Sequence, residues 1–207
     1  MINLRQALSL GSGRGGWQKF LRALERGRAR SAGHGSTRLR EILDFGSNPG
    51  NLRMFGYRPP TLADNPALVV VLHGCTQSAA GYDFGAGWST LADRYGFALL
   101  LPEQQPSNNP NGCFNWFQPE HSRRDQGEPL SSRQMIEKSV VDLGIDRRQV
   151  FITGLSAGGA MTSNMLACYP EIFAGGAIVA GLPYGAATTV QQAFQSMYQS
   201  PTRSAHE

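Results

Sequence analysis

The 207-residue sequence lacks long apolar runs. Its longest ones, such as residues 67–72 and 97–101, have the length of strands and fall far short of the roughly 20 residues that a membrane-spanning helix needs. The first residues also lack the continuous apolar segment and the small-residue cleavage site of a secretory signal peptide. We therefore expect neither a membrane span nor a signal peptide, and the 41% hydrophobic content is ordinary for a globular protein.

Cysteines are few, with three in the whole chain. No two of them have C-x-x-C spacing, and the four histidines do not cluster with carboxylates, so the sequence predicts no metal site and no cofactor. Cys75 and Cys113 both lie in loops that follow predicted strands, where they can meet. They form a disulfide if the compartment is oxidising, whereas in the cytosol all three thiols, Cys168 included, stay reduced.

The net charge of +4 is unevenly placed. Residues 1–40 hold nine Lys and Arg against one Glu, whereas the remaining residues hold ten against 14 acidic ones. We interpret residues 1–36 as a basic, flexible arm and residues 37–207 as one domain. The amphipathic stretch 17–30 can touch nucleic acid or an anionic surface, but such an arm is more often a solvated tail. A nucleic-acid partner is therefore not expected.

The sequence does contain a regular alternation of strand-like and helix-like segments. Residues 39–45 and 52–57 flank a turn-forming segment, which predicts an antiparallel hairpin. After it, short apolar runs alternate with helix-forming segments, which predicts an α/β fold with a mostly parallel sheet and helices on both faces. The predicted strands cover residues 67–72, 97–101, 149–153 and 176–180, and the predicted helices cover residues 88–95, 132–143 and 157–167.

A long insert, residues 104–129, interrupts this alternation and contains Phe114, Trp116 and Phe117. Loops of this length are usually functional or disordered. We expect a packed loop at the carboxyl edge of the sheet, where open α/β sheets bind ligands. Each ring taken alone either contributes to a binding site or only anchors the loop to the core.

The segment Gly154-Leu155-Ser156-Ala157-Gly158 matches G-x-S-x-G between a predicted strand and a predicted helix, which is the context of a nucleophile elbow. Such a turn strains the backbone of the central serine, and only small neighbours tolerate it. The hydroxyl then lies at a helix N-terminus, where backbone amides and the helix dipole stabilise an oxyanion. The pattern predicts Ser156 as a nucleophile, although G-x-S-x-G also arises by chance in a chain with 25 glycines.

Four separate blocks occur along the chain. They are His73-Gly74-Cys75-Thr76-Gln77-Ser78-Ala79-Ala80, Pro102-Glu103-Gln104, Cys113-Phe114-Asn115-Trp116-Phe117 and Gly154-Leu155-Ser156-Ala157-Gly158-Gly159-Ala160-Met161. Together they closely resemble the esterases of the polyhydroxybutyrate depolymerase family, an α/β-hydrolase group related to feruloyl and acetyl xylan esterases. The resemblance runs from about residue 68 to residue 184.

The resemblance implies a two-step acyl transfer in which Ser156 attacks an ester carbonyl. The backbone amides of Cys75 and Ala157 would hold the oxyanion, while His73, Gly74, Gly154 and Gly158 would shape the surrounding turns, and Trp116 and Gln77 would contact the substrate. The resemblance implies that the substrate is an ester of a hydroxyalkanoate, or a phenolic or acetyl ester of a plant polymer. The resemblance also implies an extracellular location for the protein, with the cytoplasm as the alternative.

In this family an acid and a histidine base follow the serine, on loops after later strands. After Ser156 this chain offers Glu171 and Glu207 as acids and His206 as a histidine, and none has the expected place. We therefore expect a domain without the last strands, with an unpaired sheet edge and weak or absent esterase activity. A noncatalytic module that binds an ester or polymer is the alternative.

Overall fold

The computed structural model describes residues 37–198. The predicted basic arm, residues 1–36, lies outside the described residues, as do His206 and Glu207. The strands are Arg40–Ile42 (β1), Arg53–Tyr57 (β2), Leu68–Leu72 (β3), Ala98–Glu103 (β4), Val150–Leu155 (β5) and Gly175–Val179 (β6). The helices are Ala79–Ala86 (α1), Trp88–Tyr95 (α2), Gly127–Leu143 (α3), Ala157–Cys168 (α4) and Val190–Tyr198 (α5), and Pro119–His121 forms a 3-10 turn.

The six strands form one mixed sheet in the order β1-β2-β4-β3-β5-β6. β1 and β2 form the predicted antiparallel hairpin, β2 runs antiparallel to β4, and the other neighbours are parallel. This architecture confirms the predicted fold class. Leu72 at the end of β3 pairs with Gly154 near the end of β5. The loops that follow these two strands therefore emerge side by side at the carboxyl edge of the sheet.

Helices cover both faces of the sheet. Leu68 and Val70 of β3 enter the larger core, to which α3 and α4 contribute, whereas Val71 enters the smaller core beneath α1 and α2. Alternate residues of β3 are thus buried on opposite sides, as in other central parallel strands. Within residues 37–198, no helix combines the length and the apolar character that a membrane crossing requires.

β6 is the outermost strand on its side of the sheet within the described residues. Ile178 and Val179 are 46% and 47% exposed there. That edge of the sheet therefore presents apolar side chains to solvent.

The observed boundaries differ from the predicted ones where glycine or turn residues intervene. β1 ends at Ile42, before the predicted end, because Asp44 and Gly46 have φ values of 57° and 137° and turn the chain. Helix α1 was not predicted because Gly81 and Gly85 give it a low helix propensity. Its start is stabilised by Ser78, whose hydroxyl accepts a hydrogen bond of 3.1 Å from the Gly81 amide.

Two further helices were predicted incompletely. α3 begins at Gly127 rather than at Ser132, because the first turn of a helix tolerates a proline, here Pro129. The last residues of the predicted insert therefore belong to α3. α5 was not predicted, although apolar residues recur in its sequence at the spacing of an amphipathic helix, as at Val190, Ala193 and Met197.

The central strand β5 provides a test of the two faces of the sheet. Ile152 is 1% exposed, whereas its neighbour Phe151 is 39% exposed. We expect Ile152→Ala to lower the free energy of unfolding by about 2–5 kcal/mol, because it leaves a cavity among packed side chains. Phe151→Ala, the matched control, removes a larger side chain and should cost less. Urea unfolding followed by circular dichroism measures both, and a larger loss for Phe151→Ala would contradict the assigned faces.

Candidate active site

Ser156 occupies a sharp turn between the end of β5 and the start of α4. Its φ of 57° and ψ of −116° lie outside the regions that L-residues ordinarily adopt. A Cβ atom on Gly154 would collide with the carbonyl of Gly158, and a Cβ atom on Gly158 would collide with the carbonyl of Leu72. Both motif glycines are therefore points of close backbone approach, and they allow α4 to start directly beside β3 and β5.

Ser156 lines a cavity of about 320 Å³, together with Cys75 and Ala157. The Ser156 hydroxyl makes no hydrogen bond to another described residue. Ala157 begins α4, and the first amides of a helix have no partner within the helix. Apolar side chains form much of the wall, namely Trp116, Phe117, Ala160, Leu182 and Ala193, and the amide side chains in the lining are Asn108, Asn109, Asn111, Asn115 and Gln118.

The loop after β3, residues 73–77, forms another wall of the cavity. Gln77 closes this loop, since its Oε1 accepts a hydrogen bond of 2.8 Å from the Gly74 amide and its own amide donates to the Gly74 carbonyl at 3.3 Å. The Gly74 amide is therefore occupied, whereas the Cys75 amide donates to no other described residue. Gln77 is not among the described residues that line the cavity, so the structure places its side chain within the loop.

His73 ties the same loop to the end of β4. Its side chain is buried, Nδ1 lies 2.8 Å from the Gly74 carbonyl oxygen, and Nε2 accepts a hydrogen bond of 3.1 Å from the Gln104 amide. Because Nε2 accepts, Nδ1 carries the proton and the ring is neutral. Burial lowers the pKa of His73 to about 4. Both ring nitrogens are engaged, so this histidine is not placed to deprotonate Ser156.

Residues 104–118, here called the pocket loop, cross the carboxyl edge of the sheet and supply much of the cavity wall. A disulfide with an S–S distance of 2.04 Å joins Cys113 of this loop to Cys75. The Trp116 carbonyl accepts a hydrogen bond of 2.7 Å from the side-chain amide of Asn164. The pocket loop is thus attached both to the loop after β3 and to the helix that follows Ser156.

The aromatic rings of the pocket loop divide between the two roles considered from the sequence. Phe114 is fully buried, packs against the His73 ring at 4.9 Å between centroids, and is not among the described lining residues. Trp116 and Phe117 meet edge to face at 5.4 Å and line the cavity. Phe114 therefore anchors the loop, and the other two rings shape the cavity.

A buried polar network lies against the pocket loop and was missed by the sequence analysis. Its centre is the carboxylate of Glu128 on α3, which accepts hydrogen bonds from the side chain of Gln104 and from the backbone and side-chain amides of Asn115. Burial raises the pKa of Glu128 to about 7, and the three donated hydrogen bonds oppose that rise. No local sequence signal identifies this network, because Glu128 and Gln104 are 24 residues apart.

No histidine or carboxylate of the described residues hydrogen-bonds Ser156. His121 accepts a hydrogen bond of 3.3 Å from the Glu128 amide through Nδ1. Glu171 pairs with Arg124 at 2.6 Å, beyond the far end of α4, and the 12 residues of that helix span about 18 Å. Within residues 37–198, no three His, Cys, Asp or Glu side chains form a group that could hold a metal ion.

Comparisons with known proteins identify similar sequences and a similar fold. The model of a family described as Esterase PHB depolymerase matches residues 52–205. A poly(3-hydroxyalkanoate) depolymerase C from Paucimonas lemoignei is 48% identical over 159 residues, which cover 77% of this chain and 38% of that protein. An acetylxylan esterase A from Aspergillus ficuum is 36% identical over 148 residues, which cover 71% of this chain and 48% of that protein.

A solved structure of an acetyl xylan esterase from Aspergillus awamori superposes with a TM-score of 0.70 at 33% identity. The match covers 76% of this chain and 56% of that one. The chain spans less than half the length of the two relatives compared by sequence.

The close approach of α4 to β3 predicts a strong effect at Gly158. We expect Gly158→Ala to lower the free energy of unfolding by about 3 kcal/mol or more, because the added methyl group meets backbone atoms that cannot move aside. Gly175→Ala is the matched control, since a Cβ atom there lies 3.8 Å from the Phe151 ring, an ordinary contact. Urea unfolding compares the two variants, and equal stabilities would contradict the packing described for the elbow.

Burial of His73 predicts an acid-dependent loss of stability. Its pKa is about 4 in the folded chain and about 6.5 when unfolded, so its contribution is fully present above pH 6.5 and is lost as the pH falls towards 4. The loss amounts to about 3 kcal/mol. We expect the stability difference between the wild type and His73→Gln to shrink by that amount between pH 7 and pH 4. Urea titrations at several pH values measure it, and a constant difference would argue against a buried neutral ring.

Proposed function

The chain belongs to the Esterase PHB depolymerase family, and from the geometry of its cavity we propose that it is a serine carboxylic-ester hydrolase. One observation carries the proposal: a serine hydroxyl without a described hydrogen-bond partner lies on a strained turn and lines an apolar-walled cavity. Two backbone amides without described acceptors, those of Cys75 and Ala157, belong to residues that line the same cavity. A nucleophile and two oxyanion donors are the parts that acyl transfer needs.

In the proposed reaction, the Ser156 oxygen attacks the ester carbonyl carbon while a base removes the hydroxyl proton. The carbonyl oxygen becomes negatively charged and accepts hydrogen bonds from the Cys75 and Ala157 amides. The positive end of the α4 dipole supports the same charge. Collapse of this intermediate expels the alcohol, which takes up the proton, and water then releases the acid from the Ser156 ester.

The cavity fits a short acyl group next to a more polar alcohol. Trp116 and Phe117 offer apolar contact, and Asn109 and Gln118 offer hydrogen bonds. We propose Trp116 as a substrate contact, whereas Gln77 acts within the oxyanion loop. The names of the relatives, a poly(3-hydroxyalkanoate) depolymerase and an acetylxylan esterase, support a hydroxyalkanoate ester or an acetyl or phenolic ester as the substrate.

We propose that the protein acts outside the cell. The support for it is the disulfide between Cys75 and Cys113, because disulfides form and persist in oxidising compartments. The third thiol, Cys168, is buried and unbridged.

We also propose that residues 37–198 by themselves turn over esters weakly. Both ring nitrogens of His73 are engaged, and His121 and Glu171 contact other groups. Loss of a triad base ordinarily lowers turnover by several powers of ten. The lack of a described base at Ser156 also favours a second candidate function, in which the cavity binds an ester or polymer without cleaving it.

Two measurements test the proposal on the 207-residue chain. We expect a fluorophosphonate to label Ser156 alone, detected by mass spectrometry of peptides, and we expect slow hydrolysis of p-nitrophenyl butyrate that Ser156→Ala abolishes. Thr90→Ala, which removes an exposed hydroxyl on α2, is the control and should change neither result.

Three outcomes distinguish the alternatives. Hydrolysis that survives in Ser156→Ala would contradict the assigned nucleophile. Rapid hydrolysis that depends on Ser156 would contradict the proposed weakness and would call for a base outside residues 37–198. Binding of the ester with neither labelling nor turnover would favour the binding module.

A further inference from the structure

Glu128 is a fully buried carboxylate that the proposed reaction does not use. Within the described residues it forms no ion pair with a lysine or an arginine. A titratable group that faces it is His121, whose Nδ1 lies 3.8 Å from Oε1. Burying a carboxylate without a cationic partner is costly, so it persists only where hydrogen bonds replace its lost water.

Those hydrogen bonds all come from the pocket loop. Oε1 accepts from Gln104 Nε2 at 2.7 Å and from Asn115 Nδ2 at 2.9 Å, and Oε2 accepts from the Asn115 backbone amide at 2.9 Å. Glu128 also lies in the first turn of α3, where the helix dipole favours a negative charge. One carboxylate on a rigid helix thus binds both ends of the pocket loop.

Two short routes connect these contacts to the cavity. Asn115 precedes Trp116, which lines the cavity and is held from the other side by Asn164. The Gln104 side chain also donates to the Cys113 carbonyl at 3.1 Å, and Cys113 is bonded to Cys75. A shift of the loop at Glu128 would therefore move both the aromatic wall and the oxyanion side of the cavity.

We propose that Glu128 is a positioning residue of the active site, whose ionised carboxylate fixes the pocket loop so that Trp116 and Cys75 keep their places in the cavity. The inference rests on the proposed function of that cavity. It assigns to the buried carboxylate a role that an apolar side chain cannot fill, because such a side chain would leave the Gln104 and Asn115 donors without acceptors.

The effect of the Glu128 charge on the pocket loop depends on the groups that face the carboxylate. Gln104 and Asn115 of the pocket loop face it without titrating, and His121 on the 3-10 turn faces it as a titratable group. Gly50, from the connection between β1 and β2, contributes backbone contact. Protonation removes the negative charge of the carboxylate, so the hydrogen bonds from the three donors lose the strength that the charge gives them. Since burial raises the pKa of Glu128 to about 7, this change falls near neutral pH.

Fluorine NMR of the full chain labelled with 5-fluorotryptophan tests the proposal without requiring turnover. Trp116→Phe assigns the Trp116 resonance among the three tryptophans. In the wild type we expect this resonance to shift with a midpoint near pH 7. Glu128→Gln should abolish the shift, whereas His121→Gln and Glu137→Gln, an exposed carboxylate on the same helix, should retain it.

A Trp116 resonance that does not titrate near pH 7 in the wild type would overturn the proposal, and this result does not depend on the folding of Glu128→Gln. A shift that persists in Glu128→Gln, or that disappears in His121→Gln alone, would also overturn it by assigning the titration to another group.

Titration with methyl 3-hydroxybutanoate separates this inference from the proposed function. Weaker binding to Glu128→Gln than to Glu137→Gln would support both. A pH response of Trp116 without any ester binding would support the link between Glu128 and the pocket loop. It would overturn the assignment of the cavity as an ester site, and with it the active-site role of Glu128.

Discussion

The close approach of α4 to the ends of β3 and β5 is the constraint on which the rest of the site depends. Two backbones come near enough that neither Gly154 nor Gly158 has room for a Cβ atom. The chain must therefore turn within one residue, and Ser156 takes the strained conformation with φ of 57°. The strain is maintained because the flanking strand and helix are both buried in the core. In consequence, the hydroxyl and the first amide of α4 line the same cavity.

The pocket loop is held by a different kind of interaction. It crosses the carboxyl edge of the sheet as irregular backbone, and buried backbone groups need hydrogen-bond partners. Side chains supply them, namely Gln104 at the start of the loop itself, Glu128 on α3 and Asn164 on α4. The disulfide between Cys75 and Cys113 adds a covalent link to the loop after β3. Apolar packing by itself cannot specify such a loop, because it satisfies no polar group.

The sequence predicted those features whose causes are local. The strand at residues 150–155, the glycines around Ser156 and the helix after it follow from periodicity and steric rules within about 15 residues. Helix α1 was missed because its glycines oppose a helix and only tertiary packing compensates for them. The hydrogen bond of Gln77 to Gly74 and the network around Glu128 were not predicted, because these partners are brought together by the fold. Glu128 and Asn115 lie 13 residues apart across a loop whose path no local pattern specifies.

The two buried titratable groups near the cavity have opposite effects on stability. The lowered pKa of His73 makes stability rise with pH between about 4 and 6.5, whereas the raised pKa of Glu128 makes stability fall between about 4.5 and 7. Each shift corresponds to about 3 kcal/mol, so over most of this range the two contributions cancel in global unfolding. The effects on local geometry do not cancel, because His73 holds the loop after β3 and Glu128 holds the pocket loop. A flat stability profile is therefore compatible with a cavity whose walls respond to pH, and probes placed at the cavity are needed to detect that response.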